Sequence, residues 1–362
     1  GLSMLALPLL FLAALLVCLF LMLLFRRPAV HLGLVDIPGG RKLHEGHVAL
    51  VGGIGLFGGF TFVALLLERD LGDFRGLFWG MGVLLIAGIL DDLRELRPRH
   101  KALAQLIAAG ALVLWGGLTV GHLGEWSGLG RLELGWLAVP FTLLCVVGLI
   151  NAVNMMDGAD GLAGGVTLVM LLWLVATAAL AGQAGWLALP MILAGAVLGF
   201  LGVNFPHPWR SCASVFLGDS GSMLLGFGIA WFAIGITYTD GTGVSPVAIA
   251  WILALPVFDT LSLMVRRLSK GRNPMAPDRE HLHHVFQRAG FSLRGTVYIL
   301  VGIAFAMGAI GVAGWQLGVP DWVMMLGLLA AFAGHLYFVQ HAWRMVRVMR
   351  RMRGRRSGVG RA

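Results

Sequence analysis

The strongest chemical signal in the chain is Asn151-Ala-Val-Asn154-Met-Met-Asp157-Gly-Ala-Asp160-Gly-Leu-Ala-Gly-Gly165, where a polar side chain recurs at every third position. On a helix that spacing keeps the four groups along one slowly drifting stripe. Asn and Asp with no basic neighbour form an oxygen-rich site suited to a hard cation such as Mg²⁺, which commonly shares its shell with substrate phosphates. The plainer reading is a polar helix end with Asn and Asp as caps. Four such residues flanked by glycines are more than capping needs.

Three other segments have similar character. Asp91-Asp92 is followed by Leu-Arg-Glu-Leu-Arg-Pro-Arg-His-Lys101, two adjacent carboxylates with bases directly behind them. This suits metal plus phosphate, with Lys101 as a point charge for phosphate oxygens, and it also suits an ordinary charged loop. In Phe216-Leu-Gly-Asp219-Ser-Gly-Ser222 one carboxylate stands among small residues at the head of an apolar run, where backbone amides and a helix N-terminus favour phosphate. A simple N-cap is the alternative there. Pro277-Asp-Arg279-Glu-His281-Leu-His283-His284 places three histidines in four residues beside an arginine. No cysteine accompanies them and the spacing fits no usual structural zinc pattern, which leaves packing or contact with a diphosphate or sugar hydroxyl.

The elements that position these residues follow from composition. With 58% hydrophobic and 12% charged residues, the chain has too little polar surface for a soluble globule and belongs in a bilayer. Apolar runs near 3–25, 49–67, 76–90, 102–120, 135–153, 162–181, 184–203, 214–237, 245–265, 296–316 and 320–341 predict an all-α polytopic membrane protein of about eleven transmembrane helices. Of the 27 Lys and Arg, 24 fall in alternate gaps, beginning with the one after the first run. The positive-inside rule makes that side cytoplasmic, with the N-terminus outside and the C-terminus inside. The first run lacks a preceding base and is followed by Arg26-Arg27, so it reads as an anchor and not a cleaved leader.

On this topology the acids form two populations. Glu68, Asp70, Asp73, Glu125, Glu133, Asp240 and Asp321 scatter over the outer side as solvated loop residues. Asp91, Asp92, Asp157, Asp160, Asp219 and Asp259 gather at the inner ends of runs, where ionisable groups are costly and point to function. A secondary transporter would place such groups near the midplane of two repeated halves, and neither feature is visible. Three cysteines, Cys18, Cys145 and Cys212, imply packing and no disulfide framework. Residues 1–343 read as one transmembrane domain with active-site loops near 26–48, 91–101, 154–161, 204–219 and 266–295. The Arg-rich stretch 344–362 reads as a cytoplasmic tail for anionic lipid, with no nucleic-acid partner.

The Asp-Asp pair, the Asn-x-x-Asn-x-x-Asp-Gly-x-Asp-Gly-Leu run, the Gly-Asp-Ser-Gly-Ser segment and the His-x-His-His loop resemble, in order, the four motifs of the polyprenyl-phosphate N-acetylhexosamine-1-phosphate transferases. The resemblance covers roughly residues 41 to 290. The tract from Pro277 to Gly290 is similar to the branch that makes undecaprenyl-diphospho-N-acetylglucosamine; the muramoyl-pentapeptide branch usually has three consecutive histidines there. The resemblance implies a multi-pass enzyme of the bacterial inner membrane with its active site on the cytoplasmic face. It would transfer N-acetylglucosamine 1-phosphate from UDP-N-acetylglucosamine to undecaprenyl phosphate, releasing UMP and initiating a cell-surface glycan. The same reaction with another UDP-N-acetylhexosamine is the nearest rival. Carried over by motif, Asn154 and Asp219 resemble ligands of Mg²⁺, for which Mn²⁺ would substitute. Asp91, Asp92 and Asp157 are the expected catalytic carboxylates, and Asp160 resembles the residue that reads the uracil. Lys101 resembles a phosphate-binding lysine, Lys42 belongs to a basic segment ahead of the second run, and Arg279, His281, His283 and His284 match the sugar and diphosphate side. Where the family often carries a third Asp after the pair, this chain has Glu95. A lipid bilayer is the implied surroundings, and a homodimer is left open.

Overall fold

The computed structural model describes residues 6–36, 47–67, 70–126, 129–205, 207, 213–238, 243–273 and 281–358. The chain runs α1 (Ala6–His31), β1 (Val35–Asp36), β2 (Val48–Ala49), α2 (Gly52–Leu65), α3 (Arg75–Arg94), α4 (Pro98–Leu114), β3 (His122–Trp126), β4 (Gly130–Glu133), α5 (Ala138–Met156), α6 (Leu162–Leu180) and α7 (Ala188–Asn204). It continues through α8 (Gly218–Tyr238), α9 (Pro246–Ile252), α10 (Ala254–Ser269), α11 (Leu282–Arg288), α12 (Leu293–Gln316), α13 (Asp321–Gln340) and α14 (Ala342–Gly358). Short 3₁₀ turns precede α3, α5 and α7.

Each of the eleven apolar runs coincides with helix, so the protein is an all-α polytopic membrane protein. Among the described residues eight helices are long and apolar enough to cross a membrane. The run at 245–265, expected as one helix, is the pair α9 and α10, bent by 76°. Pro256 explains the bend, because it has no N–H for the Ile252 carbonyl and its ring crowds that turn. The runs at 49–67 and 102–120 form the shorter helices α2 and α4.

The core centres on α8, which is apolar on every side. All its residues from Ser220 to Ile236 are buried, as expected of a helix without a polar face. Helices α2, α3, α5 and α6 surround it. By contrast, Leu9, Leu12, Leu16, Phe20 and Leu23 of α1 are exposed, as are many apolar side chains of α12 and α13. These outward faces suit hydrocarbon.

Alternation of the helices divides the polar residues between two ends. One end, here the carboxylate end, gathers the C-termini of α3 and α5, the N-termini of α4 and α8, and the histidine loop. It also holds the β1–β2 pair, where Val35 faces Ala49, and Phe216 N–H donates to the Ala49 carbonyl at 3.0 Å. The other end holds the β3–β4 hairpin. Asp321, expected to be merely solvated, is instead the clamp of that end. Its Oδ2 accepts the Glu125 amide at 2.8 Å and its Oδ1 the Ser245 hydroxyl at 2.6 Å. Ser245 also caps α9, accepting the Val247 amide at 3.1 Å.

The approach of α3 to α8 is tight enough to demand glycine. A Cβ on Gly88 would lie 2.2 Å from Ser220 Cα and 2.3 Å from Ser220 N. Gly88→Ala is expected to lower the unfolding free energy by about 2 kcal/mol by overpacking. Gly110→Ala on α4, where an added methyl meets nothing within 4 Å, is expected to be neutral or slightly stabilising. Thermal unfolding of both variants in one detergent checks the contrast.

Candidate active site

The turn between α3 and α4 builds the first part of the site. Glu95 adopts a left-handed conformation at φ 45°, which lets the Leu96 amide donate to Asp91 Oδ1 at 2.7 Å. Arg97 and Pro98 then start α4, with proline at its first position, where no N–H is missed. Lys101, one turn further on, reaches back to the end of α3. Its Nζ lies 2.9 Å from Asp91 Oδ2 and 2.9 Å from Asp219 Oδ2.

Asp219 stands in the first turn of α8. Its Oδ1 accepts from Asn154 Nδ2, which also lies 2.7 Å from Ser222 Oγ. The Asp219 backbone N–H donates to Asp92 Oδ1 at 3.0 Å. Gly218 makes this approach possible: its φ is +70° and a Cβ there would lie 2.6 Å from Asp92 Oδ2. Asp91, Asp92, Lys101, Asn154 and Asp219, which the sequence spreads over 129 positions, thus form one connected group drawn from α3, α4, α5 and α8.

This group fits a magnesium ion. Its donors are hard carboxylate oxygens, and a half-turn of the Asn154 amide would present Oδ1 beside Asp219. The Lys101 ammonium already sits where two carboxylates converge, which marks the position as one that attracts a cation. Among the described residues no three His, Cys, Asp or Glu side chains form a complete metal cage. Mg²⁺ is usually bound by one or two carboxylates, with substrate phosphates and water completing its shell.

Beyond α5 the chain turns through Asp157, Gly158, Ala159, Asp160 and Gly161 into α6. Buried Asn204 fastens this turn, accepting the Gly161 amide at 2.7 Å and donating to the Val215 carbonyl at 2.9 Å. Asp160 Oδ2 accepts the Ala213 amide at 3.1 Å, so it faces the segment leading into α8. Asp157 lies in a recess: its side chain still reaches solvent, yet protein crowds it. That partial desolvation, then the charges of Asp219, Asp92 and Asp160, push its carboxyl up to about 8. Asn151, first of the stripe, has a structural role. It exchanges amide hydrogen bonds with Gln105 at 2.7 and 3.2 Å, tying α5 to α4.

The histidines are held differently. His281 Nδ1 lies 3.0 Å from Asp259 Oδ2, and the Leu282 amide donates to Asp259 Oδ1 at 3.1 Å. His335 Nε2 of α13 stands 3.9 Å from the same Oδ1. His281 is therefore turned toward α10 and not into the Lys101 group. His283 is buried against the Asp turn, since a Cβ on Gly158 would come within 3.0 Å of its ring. Burial, with His284 and His281 close by, pushes its imidazole down to about 3, so it is neutral at physiological pH. The His283 and His284 ring centroids are 4.0 Å apart. Lys42 and Arg279 lie outside the described residues.

Comparison with known proteins settles the family. Residues 74–237 match glycosyl transferase family 4. Undecaprenyl-phosphate α-N-acetylglucosaminyl 1-phosphate transferase of Yersinia pestis is 35% identical over 334 residues, covering 91% of this chain and 90% of that one. The enzyme of the same name from Escherichia coli K12 is 35% identical over 344 residues, covering 92% of each. That from Haemophilus influenzae is 35% identical over 338 residues, covering 93% and 95%. The chain belongs to this transferase family.

The stretch matched to glycosyl transferase family 4 holds the whole Lys101 group together with Asp157 and Asp160. Asp259 and the histidine loop lie beyond it, inside the region shared with the full-length relatives. The chain is a phosphoglycosyltransferase, and the ionisation of Asp157 reports on the crowding of charge at its carboxylate end. A carboxyl whose value is raised by the fold disfavours the folded state increasingly as pH climbs from the unfolded carboxylate value of ~4 toward its native one. In chelator, Asp157→Asn is therefore expected to raise the unfolding midpoint at pH 8 and to change it little at pH 5. Equal shifts at both pH values would contradict the placement of Asp157 among these charges.

Proposed function

We propose that the protein transfers N-acetylglucosamine 1-phosphate from UDP-N-acetylglucosamine to undecaprenyl phosphate at the cytoplasmic face of a bacterial inner membrane. The reading includes eleven crossings, with α2, α4 and the α9–α10 pair each counted as one, the N-terminus outside and the C-terminus inside. The excess of Lys and Arg on the carboxylate end supports that orientation. The observation that carries the proposal is Lys101 shared between Asp91 and Asp219 beside Asn154, at the membrane-surface end of an apolar bundle.

The chemistry follows from charge. A lipid phosphate monoester has its second pKa near ~6, so at neutral pH it is largely dianionic and nucleophilic without a base. One of its oxygens attacks the phosphorus bonded to the sugar. A new P–O bond forms as the bond to the bridging oxygen breaks, and that oxygen leaves with UMP. The barrier is chiefly that of bringing two anions together in line, which positioning and fixed positive charge lower. Lys101 offers that charge from a group already desolvated by its neighbours. Mg²⁺ bound by Asp219 and Asn154, or Mn²⁺ in its place, would neutralise the diphosphate. Asp91 and Asp92 each accept one backbone amide, from Leu96 and Asp219, and the pair would position or deprotonate the lipid phosphate. Asp160, which accepts the Ala213 amide, would read the uracil. His283, neutral and against Gly158, offers hydrogen bonds and no charge to the sugar side.

Purified protein given undecaprenyl phosphate, Mg²⁺ and a panel of UDP-sugars is expected to release UMP and form undecaprenyl-diphospho-N-acetylglucosamine with UDP-N-acetylglucosamine alone. Product from a different donor would change the substrate; no UMP from any donor would overturn the reading. Asp219→Asn is expected to reduce turnover by at least a thousandfold while leaving a monodisperse protein, and near-normal activity in that variant would remove Asp219 from the site.

A further inference from the structure

The last helix has two unlike faces. On one, Val346 and Met349 are buried against Val285 of α11 and Ala289 just after it, and Arg350 Nη2 donates to the Arg288 carbonyl at 2.6 Å. On the other, Arg344, Arg347 and Arg351 are exposed, spaced by three and four residues so that they share one side of the helix. None of these three guanidinium groups has a hydrogen-bonding or ion-pairing partner among the described residues. Trp343 stands beside them, 66% exposed. Only His341 separates α14 from the membrane-crossing α13, so this face begins at headgroup depth. A basic face flanked by an exposed tryptophan at that depth is the pattern of a helix lying in an anionic interface.

The inner contact gives that face a second significance. Helix α11 has seven residues, far too few to be helical without tertiary support, and it carries His283 and His284. What holds α14 down therefore also supports α11. We propose that the Arg344–Arg347–Arg351 face binds anionic phospholipid headgroups of the leaflet on the carboxylate side, and that this binding, relayed through Val346 and Met349, orders the histidine loop. The catalytic consequence rests on the transferase reading given above; the lipid contact and the ordering do not.

The full-length protein in nanodiscs of pure phosphatidylcholine, compared with discs one-third phosphatidylglycerol, tests both parts. Backbone amide exchange over residues 282–289 is expected to slow several-fold with phosphatidylglycerol, and UMP release to rise several-fold. The R344Q/R347Q/R351Q variant is expected to match the unaltered protein in phosphatidylcholine and to show neither response. Val346→Asp, which keeps every arginine, is expected to lose the exchange response because the relay is cut. No slowing in the unaltered protein, or the same slowing in the triple variant, would overturn the lipid site. Slowing that survives in Val346→Asp would overturn the relay. Slowing of exchange with no UMP release in either disc would leave the lipid site standing and count against the transferase reading instead.

Discussion

The structure depends on concentrating negative charge at the end of an apolar bundle without driving its helices apart. Asp91 and Asp92 lie at the end of α3 and Asp219 at the start of α8, two helices close enough for a glycine at position 88 to be required. Carboxylates at such distances repel strongly where water is scarce. Lys101 resolves the conflict by serving two of them, and the Asp219 amide serves the third. One oxygen of the group, Asp92 Oδ2, stays buried without a hydrogen-bond partner. A cation could take the place of the Lys101 ammonium beside the carboxylates and free that ammonium for an anion, so the charge that lets the helix ends approach is also charge available for binding.

Much of this was legible in the chain, because a bilayer imposes a length and a polarity that sequence states directly. Each long apolar run became helix, and the four polar segments all came to the carboxylate end as alternation requires. Residues that act through nearby backbone were legible too. Lys101 lies ten positions after Asp91, and a short turn followed by one helical turn brings it back. Partnerships between distant side chains were not legible. Nothing in the sequence pairs Asp259 with His281, or assigns Asn151 to Gln105 in place of the cation site its spacing suggested. The clamp role of Asp321 was hidden because an outer-loop aspartate looks the same whether it faces water or two hydrogen-bond donors. The bend at Pro256 could have been foreseen, since a proline inside an apolar run is a recognised point of interruption.

The two ends of the protein are built on different principles. At the hairpin end, Asp321 joins β3, α9 and α13 by accepting from neutral donors, the Glu125 amide and the Ser245 hydroxyl. At the carboxylate end the donor that joins Asp91 to Asp219 is itself charged, the Lys101 ammonium, and a bond between two charged groups is stronger than one from a neutral donor.

The break at Leu253 has a mechanical consequence. It separates one apolar stretch into two rods set 76° apart. The rod nearer the hairpin, α9, is fastened at its cap through Ser245 to Asp321. The other rod, α10, has 16 residues and a length of about 24 Å, and it carries Asp259, which grips His281. The apolar stretch is thus moored at its two ends by separate rods, α9 to the hairpin and α10 to the histidine loop, and neither mooring relies on an unbroken helix through Leu253.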